Sequence, residues 1–253
     1  VNALYKLVEV MQLLRGEKGC PWDREQTHET LKPYLVEETY EVLHALDSGD
    51  DEHFKEELGD LLLQIIFHAQ IASEEGRFTI EDVAGSIVEK LVRRHPHVFG
   101  DTEVNGSQEV LQNWEKIKKS EGKKSVLDGV PDHLPALLKA RRVQEKVKRV
   151  GFDWNSVDGA FEKLCEELQE LKEAVARGKK EGVEEEFGDI LFSIVNISRF
   201  LGIDAEDSLR KTIRKFINRF HTIEERIGKM GKKPLEEHTL DELDELWEDV
   251  KNG

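Results

Sequence analysis

Apolar residues recur along this chain at three- and four-residue spacing, the period of an α-helix lying against a core. The pattern predicts a first helix over residues 2–15 and a loop over residues 16–27, GEKGCPWDREQT, with Trp22 as a packing anchor. Two helices follow, joined by the turn Asp47-Ser48-Gly49-Asp50. The second arm, about residues 51–73, holds LLLQIIFHAQIA, which is apolar on nearly all sides and calls for cover from several neighbours. Thr79 and Asp82 read as a capping box for a helix that stops at Pro96. A short helix opening at Ser107 carries Trp114 and Lys118, and residues 120–135 have the glycine, proline and charge content of a linker. A basic helix over 136–149 leads into Gly151-Phe152-Asp153-Trp154. Helices over 158–176, 183–201 and 205–228 come next, and a last one contains Trp247 and Lys251. No stretch makes a convincing strand. The expected fold class is all-α.

The polar positions carry a second pattern. Glu37, Glu38 and Glu41 lie on the first arm of the Gly49 hairpin, and Glu57 and Asp60 on the second. Residues three or four apart share a helix face, so Glu38 pairs with Glu41 and Glu57 with Asp60. Glu41 and Glu57 are equidistant from Gly49, and so are Glu38 and Asp60. An antiparallel hairpin pivoting there brings four carboxylates to one level. A shift of 129 residues reproduces the set as Glu166, Glu167, Glu170, Glu186 and Asp189 around Gly178. Two sets with the same internal spacing define a repeat. The expected organisation is two tandem helical-bundle units, residues 1–125 and 136–253, with a linker over 126–135.

Composition narrows what such units do. Charged residues make up 36% of the 253 and aromatics 7%, as in helical proteins with solvated outer faces. The net charge of −16 opposes binding to nucleic acid or an anionic membrane. The apolar runs are too short or too interrupted to span a bilayer. No signal peptide is visible, and two cysteines, Cys20 and Cys165, fit a cytoplasmic protein.

Solvated acidic faces normally interleave glutamate with lysine. The helical neighbours of Glu38, Glu41, Glu57 and Asp60 include no lysine or arginine, and in the second set only Lys163 is basic. Two carboxylates roughly 5 Å apart repel by about 3 kcal/mol at an effective dielectric near 20. Several such pairs call for a cation. All-oxygen donors suit Mg²⁺ or Mn²⁺, and Mg²⁺ sites of this kind normally hold phosphates too. A dinuclear iron bundle would need Glu-x-x-His twice; Glu41-Val-Leu-His44 supplies it once, but Glu170 is followed by Glu173. His44 is left as a surface residue or a support to the acids. Lys90, Arg93 and Arg94 follow the first acid set, and Lys215 and Arg219 the second, placed to take a polyphosphate beside a metal.

The EExxE…ExxD pattern, present twice, resembles the MazG nucleoside triphosphate pyrophosphohydrolases, as do GCPWDREQTHETL, RRHPHVFGD, NWEKIK and VGFDW. The resemblance covers nearly the whole chain. It implies an all-α NTP pyrophosphatase fold, a homodimer joined through the apolar helices, and Mg²⁺-dependent cleavage of NTPs and dNTPs to monophosphate and pyrophosphate. By motif, Glu38, Glu41, Glu57 and Asp60, with Glu167, Glu170, Glu186 and Asp189, would be metal ligands. Lys163, Lys215 and Arg219 would hold phosphates with Trp247 beside the nucleotide, and Lys90, Arg93, Arg94, Trp114 and Lys118 would serve the first unit. Asn196, deep in its helix, would meet a sugar or water, where the first unit has Phe67; Lys163 likewise replaces Tyr34. On this count the second unit has the fuller pocket. The expected mechanism is attack by a metal-activated water at the α-phosphorus, with Glu37, Glu38 or Glu166 as general base. The alternative is a regulatory module that binds NTP or a signalling nucleotide without turnover.

Overall fold

The structure, a computed structural model, describes residues 2–106, 109–110, 113–114, 117, 125–178, 180–231 and 233–252. Its contacts divide the chain into two units, Val1–Glu121 and Gly122–Gly253. Among the described residues there are helices and no strands.

Unit 1 contains α1 (Ala3–Arg15), α2 (Pro21–Glu25), α3 (His28–Ser48), α4 (Asp51–Glu74), α5 (Ile80–Arg94) and α6 (Pro96–Phe99). The short α2 lies inside the stretch expected to be loop; Pro21 at its first position needs no donor, which lets so brief a helix start. Ser107 and Lys118 fall outside the described residues. Thr27 and Thr30 cap α3 reciprocally, and Thr79 and Asp82 do the same for α5, as the sequence predicts for the latter. The hairpin turn is tighter than expected. Helix α3 runs through Ser48, Gly49 takes the left-handed conformation at φ 72°, and Asp50 caps α4 through the Glu52 and His53 amides.

The core of unit 1 is Met11, Leu31, Ile66, Phe67 and Ile71, flanked by Leu7, Val8, Leu14, Leu62, Leu63 and Ile80. Arg15 is buried beside it and ties the loop to the bundle. Its guanidinium pairs with Glu74 at 2.7 Å, donates to the carbonyls of Asp23 and Gln26, and lies 5.5 Å from the Phe67 ring centroid. One side chain thus fixes α1, α4 and the residues around α2.

Unit 2 contains α7 (Ala136–Lys148), α8 (Val157–Arg177), α9 (Lys180–Phe200), α10 (Ala205–Met230), a 3-10 turn at Leu235–Glu237 and α11 (Leu240–Asn252). The residues before α7 are tied to it, with Lys146 Nζ donating to the Val126 and Asp128 carbonyls at 3.2 and 2.9 Å. Gly178, at φ 71°, repeats the conformation of Gly49 between the long arms. Val195, Ile190, Ile197, Ala160, Ala174, Ile223 and Ile227 are buried.

Each unit also leaves apolar surface uncovered. Leu58 and Ile65 on α4, with Ile87, Val88, Leu91 and Val92 on α5, are exposed in unit 1. In unit 2 the exposed set is Phe187, Leu191, Phe192 and Ile194 on α9 and Leu209, Ile213, Phe216 and Ile217 on α10. No described helix is long and apolar enough to cross a membrane.

Candidate active site

The turn at Gly49 sets α3 against α4, and the turn at Gly178 sets α8 against α9, so the acids that the sequence places level do meet. One oxygen from each of Glu38, Glu41 and Glu57 lies within 4.8 Å of the others, and the same holds for Glu167, Glu186 and Asp189. The fourth member differs between the units. Asp60 stands outside the tight group in unit 1, and Glu170 in unit 2. Both are still felt electrostatically. Desolvation, then the negative charge of Asp60, pushes the Glu38 carboxyl above the ordinary carboxylate range. Glu170 is raised by desolvation and then by Glu186; Glu186 is raised by desolvation and then by Glu167 and Asp189. Carboxyls crowded so that they resist losing protons together would be relieved by a cation among them.

The surroundings of the clusters are not equivalent. Lys163 Nζ lies 2.8 Å from both Glu166 Oε1 and Glu167 Oε1, and these two bonds raise the lysine pKa further. Glu167 is buried, so the lysine partners a carboxylate largely withdrawn from water. Unit 1 has Tyr34 at the equivalent position, half exposed and edge-on to Trp22 at 6.0 Å. Trp22, expected as a packing anchor, is itself 50% exposed. Among the described residues no lysine or arginine forms an ion pair with Glu38, Glu41, Glu57 or Asp60. The basic neighbour of this group is His53, whose Nε2 is 2.9 Å from Glu57 Oε1. His44 is exposed and stands edge-on to His53 at 6.3 Å.

Sequence reasoning passed over Gln64. It is buried, its Nε2 donates to Glu38 Oε1 at 3.4 Å, and its Oε1 is buried with no hydrogen-bond partner. The signal was available: an amide one helical turn after Asp60 inside an otherwise apolar run.

The other nominated residues are placed as follows. Arg94 lies over the Trp114 ring at 5.9 Å, and Arg219 over the Trp247 ring at 5.6 Å, so each unit presents an arginine against a tryptophan. The Phe216 ring lies tilted against Trp247, with centroids 4.9 Å apart. Lys90, Arg93 and Lys215 are exposed on α5 and α10, and among the described residues neither Lys90, Lys215 nor Arg219 makes an ion pair with the carboxylate clusters. Glu37 and Glu166 are exposed. Asn196 is buried, and its Oδ1 accepts from Arg199 Nε at 2.9 Å. Within the chain its oxygen is thus held by an arginine one turn away.

These features define a class: tandem all-α units in which each long hairpin presents a carboxylate cluster suited to a hard divalent cation. A family model described as the MazG nucleotide pyrophosphohydrolase domain matches twice, over residues 26–99 and 156–223. The chain belongs to that family. It is 54% identical to the Thermotoga maritima protein named nucleoside triphosphate pyrophosphohydrolase/pyrophosphatase MazG, over 98% of this chain and 95% of that one. It is 44% identical to the nucleoside triphosphate pyrophosphohydrolase of Escherichia coli, over 99% and 98% respectively. A crystal structure of a mazG-related protein from Thermotoga maritima aligns at 29% identity with a TM-score of 0.40, covering 47% of this chain and 99% of that one.

Proposed function

We propose that this protein hydrolyses nucleoside triphosphates and deoxynucleoside triphosphates to nucleoside monophosphate and pyrophosphate, with unit 2 carrying the fuller site. The observation that carries the reading is Lys163 beside the Glu167–Glu186–Asp189 cluster. It sets a phosphate-binding cation next to a hard-metal donor set on one helix pair.

The donor chemistry fits Mg²⁺ or Mn²⁺, held by Glu167, Glu170, Glu186 and Asp189 in unit 2 and by Glu38, Glu41, Glu57 and Asp60 in unit 1. Such an ion, when bound, offsets phosphate charge and acidifies water enough to attack the α-phosphorus. The protein's own groups do the rest. Glu166, or Glu37 or Glu38 in unit 1, accepts the proton of the attacking water as the bond to the bridging oxygen breaks and pyrophosphate departs. Lys163, Lys215 and Arg219 hold the phosphates, Trp247 lies beside the nucleotide, and Lys90, Arg93, Arg94, Trp114 and Lys118 serve unit 1 in the same way. The exposed apolar faces of α4, α5, α9 and α10 support a homodimer that covers them. Free Cys20 and Cys165 accord with the reducing cytoplasm.

The test is pyrophosphate release from purified protein with Mg²⁺ and a panel of NTPs and dNTPs. Release that disappears in the Glu57→Gln/Glu186→Gln double variant supports the reading. Nucleotide binding with no release would favour a sensing module instead.

A further inference from the structure

The two carboxylate clusters share their spacing but not their counter-charges. In unit 2 the buried Glu167 already has a cation, since Lys163 bridges Glu166 and Glu167 at 2.8 Å each. A metal ion entering there must compete with an ammonium group in direct contact with one of its ligands. In unit 1 the same helical position is Tyr34, which brings no charge. Glu38, Glu41 and Glu57 offer oxygens within 4.8 Å of one another, and His53 Nε2 lies 2.9 Å from Glu57 Oε1.

A second difference is independent of charge. Gln64 sits where unit 2 has Ser193. It is 7% exposed, and its amide head is fixed at the cluster through Nε2 on Glu38. Its Oε1 is a buried acceptor without a donor. A buried carbonyl oxygen left unpaired costs about 1–3 kcal/mol, so an unsatisfied acceptor on a side chain bonded to a cluster carboxylate points to something electropositive that satisfies it. A divalent ion or the water on that ion does so, and an amide oxygen is an ordinary donor to hard cations. Ser193 offers a hydroxyl, which can turn to satisfy itself on the helix backbone.

We propose that unit 1 is a standing divalent-cation site with Gln64 Oε1 as a further oxygen donor, filled without nucleotide, whereas unit 2 gains its cation only once an anionic ligand draws Lys163 away from Glu167. The inference rests on the metal-dependent reading of both units above. It assigns them different parts: a permanently charged unit 1 and a unit 2 in which cation and phosphate arrive together.

Mn²⁺ titration of the metal-free full-length protein, with free Mn²⁺ counted by electron paramagnetic resonance, tests this without turnover. One Mn²⁺ per chain should bind tightly in the absence of nucleotide. Glu57→Gln should abolish that binding and Glu186→Gln should leave it. Gln64→Leu should weaken it by on the order of tenfold or more. Gln64→Glu, which keeps the shape and adds a charge, should tighten it and so guards against a mere packing fault. Lys163→Ala should open a second tight site, and Tyr34→Lys should weaken the first. Two equal classes in the parent protein, a tight class lost in Glu186→Gln, or indifference to both Gln64 variants would overturn the inference. Pyrophosphate release is measured on the same samples. Release together with two equal classes sinks the inference and spares the activity reading, while absence of release sinks that reading whatever Mn²⁺ does.

Discussion

Arg199, near the end of α9, reaches back 46 residues to grip Asp153 with both terminal nitrogens, one of them 3.0 Å from Oδ2. The arginine side chain is 5% exposed and the aspartate 13%, and Asn196 takes the remaining guanidinium edge. This buried pair locks the Gly-Phe-Asp-Trp loop against α9, as Arg15 locks the α2 region against α4. Removing one partner strands a buried charge. Asp153→Ala should therefore destabilise unit 2 by about 3–5 kcal/mol, read as a lower urea midpoint and faster amide exchange over residues 190–200. An unchanged midpoint would mean that the arginine finds another partner or water.

Asp189→Asn should cost more pyrophosphate release than Asp60→Asn, on the order of a hundredfold if unit 2 does most of the work. The ground is Lys163 beside the Glu167–Glu186–Asp189 cluster. Lys163→Tyr should impair turnover in the same direction. Steady-state rates at saturating Mg²⁺ decide the matter, and a larger loss from Asp60→Asn would reverse the ranking.

The clusters also predict how stability depends on pH. Glu38, Glu170 and Glu186 have folded pKa values above the ordinary 4.5. A carboxyl raised in this way binds protons more readily when folded. Its contribution favours the metal-free fold below the ordinary value and is lost as pH climbs through the raised one. Protons and cations compete for the same oxygens. The melting-temperature gain from Mn²⁺ over chelator should hence widen between about pH 5 and about pH 7.5. A gain that is flat with pH would place the ions on other groups.

Glu242 behaves in the opposite sense. It accepts from Lys233 and from the Thr239 amide at the start of α11, and these bonds lower its pKa to about 2. Its stabilising contribution is complete above the ordinary 4.5 and disappears as pH falls from there towards 2. Glu242→Gln should loosen α11 near neutral pH and disturb Trp247, which that helix carries. Amide exchange over residues 240–252, faster in the variant than in the parent at pH 7 and nearly equal near about pH 2, would bear this out.

The helices and the level of the acids were legible because both follow from local rules: helical periodicity and equal distance from a glycine that can turn left-handed. The short α2 was not, since five residues around a proline carry too little periodicity to stand out from a loop. Nor could the sequence say which three of four acids would draw together, because that depends on side-chain directions across the hairpin. Pairing over long separations was equally hidden. Arg15 with Glu74, Arg199 with Asp153, and the unpaired oxygen of Gln64 all need tertiary packing to be seen. Lys163 was visible as the one base among the acids, but its hold on Glu167 was not.

The left-handed glycines have a consequence for how such a site can be lengthened, broken or moved. With Gly49 and Gly178 as pivots, the meeting of the acids is a matter of equal path length along two arms. One residue added between Gly49 and Glu57 would swing Glu57 by about 100° and shift it about 1.5 Å, scattering the cluster though every ligand is still present. Seven residues added to both arms would carry the turn about 10 Å outward and leave the acids nearly facing. Deletions and insertions in these hairpins are thus tolerated in matched pairs of whole turns, and the tip beyond the acids is free to vary in length where the acids themselves are not.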